Sequence, residues 1–203
     1  MESVCLTSAY FPPISYMRRL LSAHHVWVEA YDHYERQSYR NRCCIAAANG
    51  VMALSIPVER LSGEKACTKD IRISEHDNWR HTHWQSIVSA YNMSPFFEYY
   101  EDDFAPFFHK KWDFLLDFNL EITHKILELL EIQKEIKLTA QYEVILPQNV
   151  VDLRCDFHPK SQTSENLATY YQVFDAKHGF LRDLSVMDLL FNMGNESILY
   201  LTK

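Results

Sequence analysis

The stretch that decides the fold is Val4-Cys5-Leu6-Thr7-Ser8-Ala9-Tyr10-Phe11-Pro12-Pro13-Ile14-Ser15-Tyr16-Met17-Arg18-Arg19-Leu20-Leu21, followed shortly by His25-Val26-Trp27-Val28-Glu29-Ala30. Val4 to Ala9 is a short apolar run closed by Phe11-Pro12-Pro13, where proline removes the donors a strand needs. Ile14, Met17, Leu20 and Leu21 then recur at helical spacing. His25 to Ala30 is a compact β-rich run, so the chain opens as strand, turn, helix, strand. Cys43 to Val58 holds two more strands around Asn49-Gly50, a pair that favours a two-residue hairpin loop. Ile71-Arg72-Ile73 adds a strand after the polar loop of Leu61 to Asp70. From Asn78, Trp84, Ile87, Val88 and Tyr91 turn the pattern helical, so the first hundred residues mix α and β.

Phe104 to Glu135 reads as one long helix with an apolar stripe through Phe108, Trp112, Leu115, Leu116, Ile122, Ile126, Leu129 and Leu130, interrupted near Asn119. Tyr142 to Leu146 and Val150 to Phe157 read as strands and Asn166 to Phe174 as a short helix. Ser185 with Asp188 forms a capping box for a final helix that ends at Gly194. There is no repeat, low-complexity tract or long linker. The expectation is a single domain over residues 1–203 of α+β class: a mixed N-terminal α/β part with a small sheet, then a mainly helical part and a short C-terminal strand pair.

Apolar residues make up 47% and charged residues 23% of the 203, the balance of a globular chain. Phe, Tyr and Trp reach 14%, and so many rings must be buried or bind something. Only 4 glycines are present, far apart, which excludes the phosphate-cradling Walker A loop and the dinucleotide fingerprint. A net charge of −7 argues against binding a phosphate polymer, so no nucleic-acid partner is expected. The 5 cysteines show no CxxC spacing, as in a reducing compartment. The N-terminus lacks an apolar targeting core and the longest uncharged run is broken by Asn49, Gly50 and Pro57. A cytoplasmic protein without membrane insertion is expected.

Several segments carry chemical vocabulary. Tyr34 to Arg42 places Arg36, Arg40 and Arg42 among two tyrosines and Asn41, and guanidinium forks match phosphate or carboxylate oxygens; a solvated connector is the plain alternative. The Tyr10-Phe11-Pro12-Pro13 turn leads into a helix N-terminus, which can receive an anion. In Trp79-Arg80-His81-Thr82-His83-Trp84 the two histidines point apart on a helix and cannot share a metal ion, so no metal site is expected. His83, at the edge of the apolar face, suits acid–base work or the orienting of a substrate, with a structural role as the plain alternative. Glu98, Glu101, Asp102 and Asp103 suit the positive end of a helix dipole. Asp152 to His158 alternates strictly, so as a strand it aligns Asp152, Arg154, Asp156 and His158 on one face, with Cys155 on the apolar side. The same alternation marks an exposed sheet face.

These segments resemble the WbqC-like family of bacterial proteins, often encoded among genes for O-antigen and other surface polysaccharides. The resemblance spans nearly the whole chain and follows the branch found in Bacteroidetes. Tyr10, Pro12, Ile14 and Tyr16 keep its opening motif, with Thr7-Ser8 for Gln-Pro and Pro13 for Trp. Tyr34, Ser38, Asn41 and Arg42 match its second motif, in which His33, Arg36 and Tyr39 are substitutions. Trp79, His83, Tyr91, Phe96 and Phe97 match the third, and Asp152-Leu153-Arg154, Tyr170 to Phe174 and Leu184 to Asn192 the later ones.

The resemblance implies a transferase acting on an activated or amino sugar, by acyl or aminoacyl transfer. In that picture Tyr10, Tyr34, Arg40, Asn41, Arg42, Trp79, Asp152 and Arg154 bind an anionic small molecule such as a nucleotide sugar, and His83 is the catalytic base. Two alternatives stand beside it. One is a nucleotidyltransferase-like enzyme, which the strand, proline turn and helix resemble although Ile14-Ser15-Tyr16 lacks the HxGH-type signature. The other is a non-catalytic scaffold using the aromatic segment around Phe96, Phe97 and Tyr99. The residues name no cofactor, and self-association into a homo-oligomer stays open.

Overall fold

The computed structural model describes residues 2–59, 66–161 and 167–202. The chain opens with β1 (Ser3–Thr7), α1 (Ile14–Ser22) and β2 (His25–Glu29), then the hairpin β3 (Arg42–Ala47) and β4 (Gly50–Ser55). Three helices follow, α2 (Trp79–Tyr91), α3 (Phe97–His109) and α4 (Leu115–Leu129). After them come β5 (Ile136–Leu138), β6 (Val150–Asp152), and the short helices α5 (Asp175–His178), α6 (Val186–Met193) and α7 (Ser197–Leu201). The class is α+β.

β1, α1 and β2 form a strand–helix–strand unit with β1 and β2 parallel, and the four-stranded sheet runs β5-β2-β1-β6 with every pairing parallel. All five residues of β1 are buried, as expected of a central parallel strand. Val4, Leu6 and Val26 face the main core with Tyr16, Met17 and Leu20 of α1, while Val28 packs on Leu116 of α4. The core is dense in rings: Phe11, Phe104, Phe108, Phe118 and Phe191 pack edge-to-face or stacked, so most of the aromatic excess is spent internally.

Several sequence expectations are corrected. The hairpin pairs Ala47 with Gly50, so its loop is Ala48-Asn49 and Gly50, at φ 103°, opens the return strand. The long helix breaks at residues 110–114 and not at Asn119, because Ile73 N donates to Asp113 O and Leu115 N to Ile71 O. That backbone pairing outweighs the helical periodicity, and it leaves Ile71–Ile73 in isolated bridges instead of a ladder. Asn119 sits inside α4. The first strand after the helices is β5 and not residues 142–146, and β5 and β6 join opposite edges of the sheet without pairing with each other.

β6 ends at Asp152 and the chain turns over residues 154–156, so the Asp152-to-His158 alternation is not a strand and Cys155 is exposed. Residues 167–174 are not helical: residues 167–172 run irregularly into a turn at 173–174, and Tyr170 and Gln172 both reach Asp188. Asn166 and residues 61–65 of the polar loop lie outside the described residues. Ser185 does cap α6, its Oγ accepting from Met187 N at 3.3 Å. The Asp188 carboxylate turns inward instead of closing the box, accepting from the Tyr91 and Tyr170 hydroxyls and Gln172. Burial raises its pKa and those three hydrogen bonds oppose the shift.

Candidate functional site

In an open parallel sheet, ligands settle at the carboxyl ends of the strands where the order reverses. Here β2 lies on one side of β1 and β6 on the other, so the reversal falls between β1 and β6. The carboxyl ends carry charge. Glu29, fully buried at the end of β2, accepts from Arg154 Nη1 at 3.0 Å, from Tyr31 N at 2.9 Å and from the Thr139 hydroxyl at 2.7 Å. Arg154 also grips Asp152 with Nε at 2.9 Å and Nη2 at 2.6 Å, and donates to the Glu143 carbonyl at 3.0 Å. Its guanidinium lies 5.0 Å over the Tyr142 ring. Hydrogen bonds from Arg154 hold the half-exposed Asp152 carboxyl below its ordinary pKa.

A second pair lies beside the first. Asp32 accepts from Arg40 Nη2 and from the Thr68 hydroxyl, and all three residues are buried. Glu35 stands 3.8 Å from Arg40 and 3.9 Å from His158 Nε2, linking the loop after β2 to the turn after β6. Asn119 of α4 reaches across to the Arg40 carbonyl at 2.7 Å and to Ser8 Oγ at 3.3 Å. Burial pushes the Tyr34 hydroxyl up to about 12. Three polar atoms in this motif, Tyr34 OH, Arg40 Nε and Asn41 Oδ1, are buried without a partner among the described residues, and such orphans call for a specific explanation.

The third motif packs behind this edge. Tyr10 N donates to the Tyr39 carbonyl at 2.8 Å, while the Tyr10 hydroxyl lies 2.9 Å from His83 Nδ1. Trp79 meets the His83 ring at 5.1 Å. Burial lowers the His83 pKa to about 4, and a hydrogen bond to the Ser55 backbone acts in the opposite direction. His83 is therefore a neutral imidazole at pH 7, and it is 5% exposed. Ser55 is the register partner of Arg42, whose Nε donates to Ser55 Oγ at 3.0 Å. Asn41 is tied to the same strand end by paired bonds with Ile56. The N-terminus of α1, open to an anion on sequence grounds, already holds one: Asp183 accepts from Ser15 N at 2.8 Å and Ser15 Oγ at 2.7 Å.

The structure thus joins Tyr10, Arg40, Asn41, Arg42, Trp79 and His83 into one connected cluster through Tyr39, Ser55 and Asn119. Tyr34, Asp152 and Arg154 sit around its outer edge. Sequence reasoning missed Glu29, Asp32, Asn119 and Asp183. Only Asn119 gives a signal, as a polar residue on an otherwise apolar helical stripe, and periodicity alone reads that signal as a break. Among the described residues no group of three or more His, Cys, Asp or Glu side chains is arranged to hold a metal ion, and no helix is long and apolar enough to cross a membrane. No curated protein and no solved structure matches the chain. The sequence pattern of the WbqC-like protein family does match, over residues 7–158, which runs from the last residue of β1 through β6 and takes in both charged pairs at the carboxyl ends. The chain belongs to the WbqC-like protein family.

Proposed function

We propose that this protein is a transferase of surface-polysaccharide assembly that takes an activated, anionic sugar at the carboxyl-end edge of its parallel sheet. The observation that carries this reading is the gathering of Arg40 and Arg154, with Asp32, Glu29 and Asp152, where the strand order reverses. The orphaned Tyr34, Arg40 and Asn41 atoms support it, since a bound oxyanion or sugar hydroxyl would complete them. In this reading Tyr34, Arg40, Asn41 and Arg42 hold the donor, and Asp152 with Arg154 closes the far side. Tyr10, Trp79 and His83 are positioning residues: they set the Arg42–Ser55 pair and the Tyr39 carbonyl from behind. The group moved is an acyl or aminoacyl unit destined for an amino sugar. Five free cysteines suit a cytoplasmic setting.

A thermal-shift screen against nucleotide sugars and free nucleotides tests the reading. A ligand at about 100 times its Kd adds about 2.7 kcal/mol, which for a chain of this size raises Tm by about 5–11 °C. Arg42→Ala, at a half-buried position, is expected to abolish the rise. A flat screen overturns the proposal. A second reading, a scaffold for partner proteins, rests on Met93 (78% exposed), Tyr99 (70%) and Phe96 (38%), although Phe97 of the same segment is buried. Partner capture lost in Tyr99→Ala, together with a flat screen, would favour it.

A further inference from the structure

Parallel sheets are normally covered by helices on both faces. In this sheet Val4, Leu6, Val26 and Val28 meet the core, but the opposite face, bearing Ser3, Cys5, His25 and Trp27, is met by the loop of residues 139–149. Between that face and the loop lies a cavity of about 570 Å³, within the roughly 300–1,000 Å³ typical of small-molecule sites. Of the 4 tryptophans, Trp79, Trp84 and Trp112 each pack against other rings. The Trp27 indole alone has neither a ring contact nor a side-chain hydrogen bond to a described residue, and it lines the cavity half-buried. Around it stand the amides of Gln141 and Asn149, with Lys137, His25 and Glu143.

We infer that this cavity is a saccharide pocket, in which the apolar face of a hexopyranose ring lies on Trp27 and its hydroxyls meet Gln141 and Asn149. An aromatic platform ringed by amides matches a ring that is apolar on its face and polar at its edge. Gln141 Nε2 donates to Glu143 Oε1 at 3.4 Å, and with both side chains exposed the amide oxygen of Gln141 is open to a sugar hydroxyl. A phosphate ligand finds no arginine and no helix N-terminus in the lining, and Lys137 is already paired with Glu135 at 3.2 Å. The pocket abuts the charged edge. Thr139, which lines it, bonds Glu29, and the Glu143 carbonyl is held by Arg154. Calling the bound sugar the acceptor rests on the transferase reading; the binding itself stands on the pocket's own lining.

The test is titration of the full-length protein with methyl glucoside, methyl galactoside and their 2-acetamido counterparts, followed by calorimetry and tryptophan fluorescence, with adenosine as the competing flat ligand. Saturable binding of a glycoside is expected, weakened about tenfold by Trp27→Ala, the loss of one aromatic platform. Trp27→Phe should recover most of it. Gln141→Ala, on the exposed loop, keeps the test informative if Trp27→Ala does not fold, and a several-fold loss is expected. Failure of every glycoside to bind, tighter binding of adenosine, or glycoside binding indifferent to both Trp27→Ala and Gln141→Ala would overturn the pocket. If nucleotide sugars still raise the melting temperature in those cases, the transferase reading survives. Glycoside binding with a flat nucleotide-sugar screen supports the pocket and removes the transferase.

Discussion

Protonating His83 should destabilise this protein in a defined pH window. Burial in the core holds its pKa at about 4 against an ordinary 6.5, with Tyr10, Trp79 and the Ser55 backbone as its surroundings. Between those two values the unfolded chain binds a proton that the folded chain refuses, so stability falls as pH falls. Each tenfold change in proton affinity corresponds to about 1.4 kcal/mol, so the whole window is worth about 3 kcal/mol, of which about 2 kcal/mol is lost between pH 7.5 and 5.0. Urea denaturation of the wild type and of His83→Gln across that range isolates the contribution. The variant starts lower through lost packing, but its curve should be flatter by about 2 kcal/mol. An imidazole resonance for His83 titrating near 6.5, or parallel curves for the two proteins, would refute the argument and return His83 to the role of an accessible acid–base group.

Arg154→Met removes the partner of a carboxylate that has no contact with water. Breaking such a buried pair costs about 3–5 kcal/mol, here toward the lower figure because Glu29 keeps its bonds from Tyr31 and Thr139. Pairing Arg154→Met with Glu29→Gln should recover part of the loss, and a single variant within 1 kcal/mol of wild type, roughly the worth of an exposed pair, would show that the pair is not desolvated. Gly194 caps α6 at φ 57°, and an added Cβ would stand 2.7 Å from the Phe96 ring. Gly194→Ala is therefore expected to cost about 2 kcal/mol and about 4–8 °C in Tm, with calorimetry as the check and an unchanged Tm as the contrary result.

What was legible in the sequence is what depends on neighbours along the chain. The alternation of apolar run, double proline and helical spacing placed β1 and β2 to within two residues with α1 between them, and Ser185 and Gly194 bounded α6 because caps are local chemistry. The motif residues Tyr10, Arg40, Asn41, Arg42, Trp79 and His83 could be named from their types together with the family resemblance. Their roles could not. Whether a guanidinium is free or already gripping Asp32, and whether a histidine meets solvent or the Tyr10 hydroxyl, depends on groups dozens of residues away.

The errors share that cause. The helix break at residues 110–114 is imposed by pairing with Ile71–Ile73, and the turn after Asp152 by Arg154 folding back onto Asp152 and Glu29. By itself the sequence determined the class, the first strand–helix–strand unit and the family, since periodicity, capping and motif spacing are written in consecutive residues. Only the tertiary structure decided that all four strands of the larger sheet run parallel, that charge gathers at their carboxyl ends, and that one sheet face meets a loop across a cavity at Trp27, because strand order and burial are set by which distant segments exclude water together.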